Sequence, residues 1–120
     1  MFEFIRLSYE EFFSILDNNR WSLSWRIVEP SEVQICEKIL NNNKELVALI
    51  AYDITNELCT IAKFEVLQEL RNNGLGEKII EQFIDSICYD IELIPLGEDA
   101  ERFWRKCGFD GDRHLLRFER

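Results

Sequence analysis

At 120 residues and 14.3 kDa the chain has the length of one domain, residues 1–120, which buries roughly two thirds of the surface exposed when it is unfolded. Its 47% hydrophobic content, nine Phe and three Trp, against two Pro and five Gly, excludes a disordered, collagen-like or linker-rich chain. Fourteen basic against 23 acidic residues leave a charge of −9, which repels phosphate backbones and anionic headgroups, so no nucleic acid and no membrane is expected as partner, and cationic molecules or basic proteins are easier ones.

Phe2 to Leu7 alternates apolar residues with Glu3 and Arg6 and reads as a strand. Ser8 then caps a helix, with Glu11 completing a capping box and Phe12, Phe13, Ile15 and Leu16 forming its buried stripe up to Asn18-Asn19. The run Trp21 to Val28 is apolar but irregular. Pro30-Ser31-Glu32 starts a second helix with Val33, Cys36, Ile39 and Leu40 at helical spacing, although Val33 and Ile35 also suit a strand. After a turn at Asn41 to Lys44, Glu45 to Ile54 is apolar enough for a strand buried on both faces. A tight turn at Thr55-Asn56 leads to its antiparallel partner, Leu58 to Leu67, with Leu58, Thr60, Ala62, Phe64 and Val66 on one face. Gln68 to Gly76 is a polar loop, and Leu75, Ile79, Ile80, Phe83, Ile84 and Ile87 mark an amphipathic helix. Ile91 to Ile94 is a short strand, Pro95-Leu96-Gly97 a turn, and Glu98 to Lys106 a helix stopped by Gly108. The turn Asp110-Gly111-Asp112 and a strand from His114 to Phe118 close the chain.

The four cysteines, Cys36, Cys59, Cys88 and Cys107, form no CxxC or CxH pair, so no metal site is expected, and each reads as a reduced small hydrophobe in an apolar stretch. The amino terminus lacks the basic start and apolar run of a signal peptide, and no stretch reaches ~18 apolar residues. A reducing, cytoplasmic setting is expected.

The passage from Val66 to Ile80 runs from a strand through a loop into a helix whose first turn holds Gly74 and Gly76. A helix start leaves four backbone N–H groups unpaired at the positive end of its dipole, and glycines there let a bulky anion approach. The passage is therefore a candidate diphosphate cradle, with a loop that merely closes tightly onto its helix as the alternative. Ile79 rules out a dinucleotide GxGxxG, and no Gly-Lys-Ser/Thr follows for a Walker A loop.

Arg71-Asn-Asn-Gly74-Leu-Gly76 fits the pattern R/Q-x-x-G-x-G/A, and about thirty residues on comes Ala100-Glu-Arg-Phe103-Trp104-Arg-Lys-Cys-Gly108-Phe109. Together these resemble the GNAT superfamily of N-acetyltransferases over roughly residues 45 to 110. The resemblance implies an α/β (α+β) fold with a mixed, mostly antiparallel sheet flanked by helices and a splayed central strand pair. It also implies acetyl-CoA as co-substrate and acetyl transfer to a primary amine, of a small cationic molecule or a protein, by direct attack on the thioester. By the same resemblance Val66 and Leu67 offer backbone groups to the pantetheine arm, and the amides of Arg71, Asn72, Asn73, Gly74, Leu75 and Gly76 bind the diphosphate. Arg71 and Lys78 supply the cations that an anion needs near a chain of charge −9.

Glu92, twelve residues before Trp104, occupies the position where some members that acetylate protein amino termini keep a catalytic glutamate; it also fits the polar alternate of a half-exposed strand. Glu65 is the second candidate base. Trp104 stands where the family usually has a Tyr acid, and an indole N–H cannot deliver a proton near neutral pH; Tyr52 and Tyr89 are the phenols available as substitutes. Gly97 replaces an Asn that contacts the cofactor in many members. The family builds its acceptor pocket from the first helices and their connection, which here implies Trp21, Trp25 and Glu29, aromatic faces and a carboxylate suited to a cationic amine. His114 reads as a surface residue. Two other readings stand beside the enzyme: a CoA-binding or protein-binding domain without turnover, motivated by Trp104 and Gly97, and a toxin that acetylates charged tRNA, disfavoured by the acidic surface. A monomer or a homodimer is expected.

Overall fold

The structure is a computed structural model that describes residues 1–17, 20–22, 24–25 and 28–120. Strands β1 (Glu3–Arg6), β2 (Ile35–Leu40), β3 (Leu46–Thr55), β4 (Leu58–Val66), β5 (Asp90–Leu93), β6 (Asp110–Asp112) and β7 (Leu115–Phe118) form a seven-stranded sheet in the order β1-β2-β3-β4-β5-β7-β6. Every neighbouring pair is antiparallel except β4 and β5. Helix α2 (Leu75–Ser86) makes the crossover that a parallel pair requires. Helix α1 (Tyr9–Leu16) follows β1, and α3 (Glu98–Lys106) links β5 to β6. No helix of the described residues is long and apolar enough to cross a membrane.

The helices form where the sequence marks them. Ser8 Oγ accepts from the Glu11 amide at 3.3 Å and Glu11 Oε1 accepts from the Ser8 amide at 3.1 Å, which is the capping box of α1. Phe12 and Leu16 of its stripe are buried, while Phe13 and Ile15 are only half-buried. The expected stop at Asn18-Asn19 lies outside the described residues. Helix α2 buries Ile79, Ile80, Phe83 and Ile84 against the sheet, and α3 ends before Gly108, whose φ of 102° is open to glycine without strain.

Three expectations are corrected. Residues 35–40 are a strand and not a helix: Cys36 packs into the core on the α1 face and Ile39 into the core under α2 and α3, so an i, i+3 pair arises from a strand buried on both faces. The hairpin turn is Asn56-Glu57, one residue later than expected, with φ of 52° and 60° as a two-residue primed turn requires. Asp110–Asp112 is itself strand β6, and the turn falls at 113–114.

The alternation along β4 also breaks. Ala51 pairs with Lys63 but Tyr52 pairs with Ile61, so Ala62 is an extra, bulged residue. Before it, Cys59 and Ile61 face the core under α2 and α3; after it, Phe64 and Val66 do. Thr60, Lys63 and Glu65 therefore share the opposite face, with Ala51 and Leu49. Of the cysteines, Cys36 and Cys59 are buried, Cys107 is half-buried and Cys88 is exposed, the last departing from the apolar setting expected for all four.

Candidate active site

Strand β5 pairs with β4 only from Leu58 to Ile61, whereas β4 runs on to Val66. The two strands part at the bulge, which opens a splay in the middle of the sheet. The Leu67 amide donates to the Val47 carbonyl at 2.9 Å, so residues 63, 65 and 67 bond inward to β3 and the backbone groups of Phe64 and Val66 point into the splay. The Val66 carbonyl accepts from Arg71 Nε at 2.9 Å. Leu67 is buried in the α1-face core and its amide is donated to Val47, so on the splay side the outward backbone groups are those of Phe64 and Val66.

A 3-10 turn at Gln68–Leu70 carries the chain from β4 to Arg71. Asn72 (φ 67°) and Gly74 (φ 81°) then bend it into α2. No side chain caps this helix at Gly74, although Asn73 Oδ1 takes the Leu75 amide at 3.1 Å. The amides of the first turn thus face a cleft of about 910 Å³ whose walls include Val66, Arg71, Gly74, Gly76, Phe103 and Trp104. At Gly76 α2 passes close to its neighbours: a Cβ there would lie 3.0 Å from Phe103 Cε1 and 3.5 Å from Val66 Cγ2. Asn72 and Leu75 also line the cleft; Asn73 and Lys78 are not among its lining residues.

Two cations at this cleft were not assigned from the sequence. Arg102 and Lys106 of α3 line it alongside Arg71, and their i, i+4 spacing is the signal that sets them on one helix face. Arg102 is ion-paired to Asp99. The lining carboxylates Glu65, Glu77 and Asp99 balance the three cations, so this wall is locally neutral on a chain of charge −9.

A smaller cleft of about 220 Å³ lies at the splay, sharing Ser22, Phe64, Glu65, Ala100 and Trp104 with the first. The carboxylate of Glu65 holds this region together. It accepts from Trp25 Nε1 at 2.7 Å, from the Ser22 amide at 3.1 Å and from Arg71 Nη2 at 2.6 Å, with its side chain only 13% exposed. One carboxylate thereby ties the 20–25 segment to the loop before α2. Its lone pairs are committed to these three donors.

Glu92 is differently placed. On β5 it stands level with Thr60 and Arg117, on the same sheet face as Lys63 and Glu65 and two rows of side chains from the point where the strands part. Its one ion pair is a long one, 3.7 Å to Arg117 Nε. It is not a lining residue of either cleft. Trp104 lines both clefts, packed edge-on against Phe64, Phe103 and Phe109 with ring centroids 5.9, 5.0 and 5.3 Å away.

The structure brings only one of the three expected acceptor residues to the splay. Trp25 lines the smaller cleft; Trp21 is buried in the core beneath α1, its Nε1 without a hydrogen-bond partner among the described residues, and Glu29 is exposed and lines neither cleft. Helical periodicity could not separate them, since both tryptophans lie in an irregular segment. Tyr52 is excluded as a proton donor to the splay. It lies in the core against Phe83, and burial together with the nearby Glu37 carboxylate pushes its phenol well above the usual range. Burial also raises the Glu37 carboxyl, against the lowering effects of the nearby Tyr52 and Arg6. Tyr89 is half-buried against the same core, and His114 is exposed.

Known proteins match this architecture. The model of the acetyltransferase (GNAT) family matches residues 1–109. No curated protein matches in sequence. Among solved structures, a chain of a KacTA–DNA complex superposes with a TM-score of 0.72 at 11% identity, covering 98% of this chain and 92% of that one. A variant of the SpeG spermidine N-acetyltransferase from Vibrio cholerae gives 0.71 at 14% identity, with 98% and 92% covered. The ribosomal-protein-S18-alanine N-acetyltransferase from Escherichia coli gives 0.68 at 17%, with 93% and 79% covered. At such identities these likenesses show the fold, a mixed and mostly antiparallel sheet opened at its centre between helices. With the family model spanning nearly the whole chain as well, the protein belongs to the acetyltransferase (GNAT) family.

Proposed function

We propose that residues 1–120 act as one catalytic domain that transfers the acetyl group of acetyl-CoA to a primary amine by direct attack on the thioester. The observation that carries this reading is the glycine-bearing start of α2 at Gly74 and Gly76, where only the Leu75 amide meets a side chain among the described residues, opening onto a cleft that leads into the β4–β5 splay. The residues fit the co-substrate: first-turn amides and Arg71, Arg102 and Lys106 for its phosphates, and the outward backbone groups of Phe64 and Val66 for its amide-bearing arm.

Acetyl-CoA supplies an activated acyl carbon. The amine nitrogen forms the new C–N bond, the C–S bond breaks, and sulfur departs with its electron pair. Glu92, through a water, receives the proton lost by the amine. Trp104 gives the thiol no proton; a thiol of pKa ~8.5 is a tolerable leaving group as the anion. A charge of −9 disfavours nucleic acid as acceptor.

Trp104 and the absence of an Asn at Gly97 favour one other reading, a CoA-binding domain without turnover. A thermal-shift titration with a thiol-release assay over an amine panel separates the two. Both readings expect acetyl-CoA to raise the melting temperature, and only the enzyme releases thiol when an amine is added. No thermal shift at millimolar acetyl-CoA would reject both.

Gly76→Ala is expected to weaken acetyl-CoA binding about tenfold or more in calorimetry, because its Cβ presses on the Phe103 ring at the cleft wall. Gly74→Ala has no atom within 4 Å of the added Cβ, so it is expected to lose only about 1 kcal/mol of stability from its φ of 81°. Equal affinity losses in the two variants would contradict this placement.

A further inference from the structure

The smaller cleft, read with the acetyltransferase function on which this inference rests, carries information about the acceptor. We propose that the acceptor is a monoamine with an apolar body directly behind its amine-bearing carbon, and not a polyamine. Four observations lead there. Among the described lining residues Glu65 is the only carboxylate, and it is already held by Trp25, Ser22 and Arg71. Lys63 lines the same cleft, on the same sheet face, with no ion-pair partner among the described residues, so a second ammonium on the acceptor meets repulsion instead of a counter-charge.

The other two observations concern size and polarity. At about 220 Å³ the cleft is smaller than the usual drug-sized pocket, so it takes the reacting end of an acceptor and leaves the remainder outside. What meets that remainder is an apolar lip: Ile94 and Leu96, 65% and 69% exposed, follow β5 at the mouth, with Trp25 and Trp104 deeper in. Two large aliphatic side chains held in water beside a reaction cleft gain by covering an apolar group. The overall acidity of the chain, which alone suggests a polycationic acceptor, is thus not expressed at this cleft. The spermidine enzyme among the structural neighbours shares the fold at 14% identity and does not bear on this choice.

Two sources offer the required chemistry, an arylalkylamine and the free amino terminus of a peptide that begins with apolar residues. Calorimetric titration of the CoA-bound protein with phenethylamine, a hexapeptide beginning Ile-Phe, its N-acetylated form and spermidine tests the inference without requiring turnover. The expected result is binding of phenethylamine, the free peptide or both at least tenfold tighter than spermidine, with no binding of the acetylated peptide; which of the first two is tighter identifies the source. Lys63→Glu is expected to move the ratio toward spermidine by about tenfold, and Leu96→Asp to weaken the apolar amines by about tenfold. Spermidine binding as tightly as the apolar amines, or no binding of any amine, overturns the inference. Thiol release with spermidine alone would do so while leaving the acetyltransferase function standing.

Discussion

Glu92→Gln is expected to lower kcat by about 10² to 10⁴ while leaving acetyl-CoA affinity unchanged. The substitution keeps the size and hydrogen-bonding reach of the side chain and removes its charge and with it its ability to take up a proton. The fold should scarcely notice, since the ion pair that is lost, to Arg117 at 3.7 Å and partly exposed, is worth less than about 1 kcal/mol. The pH profile distinguishes a base from a packing residue. An alkylamine acceptor loses its own proton near pH ~10, as a lysine does, so the rate defect should shrink steadily as pH rises toward that value. A defect that is the same at pH 7 and pH 10, or a kcat within threefold of the parent, would remove Glu92 from the mechanism.

Glu65→Ala is expected to have the largest effect on stability, about 3 kcal/mol, seen as a fall in melting temperature on the order of 10 °C. Trp25 is 1% exposed, so its indole N–H loses its acceptor where water cannot replace it. The Arg71 pair contributes a smaller share, because the guanidinium is 43% exposed and screened by solvent. Glu65→Gln keeps an oxygen for Trp25 and should lose less than half as much. If both variants melt within 2 °C of the parent, Glu65 does not tie the 20–25 segment to the α2 loop.

The helices and the glycine loop were legible because local rules determine them. A serine three residues before a glutamate caps α1 with no help from the rest of the fold, and the stripe from Leu75 to Ile87 has one period and one buried face. Strand β2 was not legible as a strand, because Cys36 and Ile39 enter different cores and their spacing imitates a helix. The candidate site divided in the same way. Gly74 and Gly76 announce themselves through backbone geometry, whereas the role of Glu65 depends on Trp25 and Ser22, forty and 43 residues away in the chain. Trp21 and Trp25 both enter the α1-face core, and nothing local encodes that Trp25 also reaches Glu65 and the smaller cleft. The α3 cations Arg102 and Lys106 were visible as spacing, but which way their helix face turns is decided by the packing of Phe103 and Trp104.

The bulge at Ala62 reaches further than the bend it puts into one strand. Because side chains alternate along a strand, a single unpaired residue inverts the parity of everything after it. With it, Phe64 and Val66 join Phe103 and Trp104 on the side of the α2 loop, and Lys63 and Glu65 face the opposite side with Trp25. Without it, a carboxylate would be driven among the aromatic rings and a phenyl ring would sit where the indole and guanidinium are now held. Whether the count of residues between Ile61 and Val66 is odd or even therefore sets which side chains of this strand meet Phe103 and Trp104 and which meet Trp25.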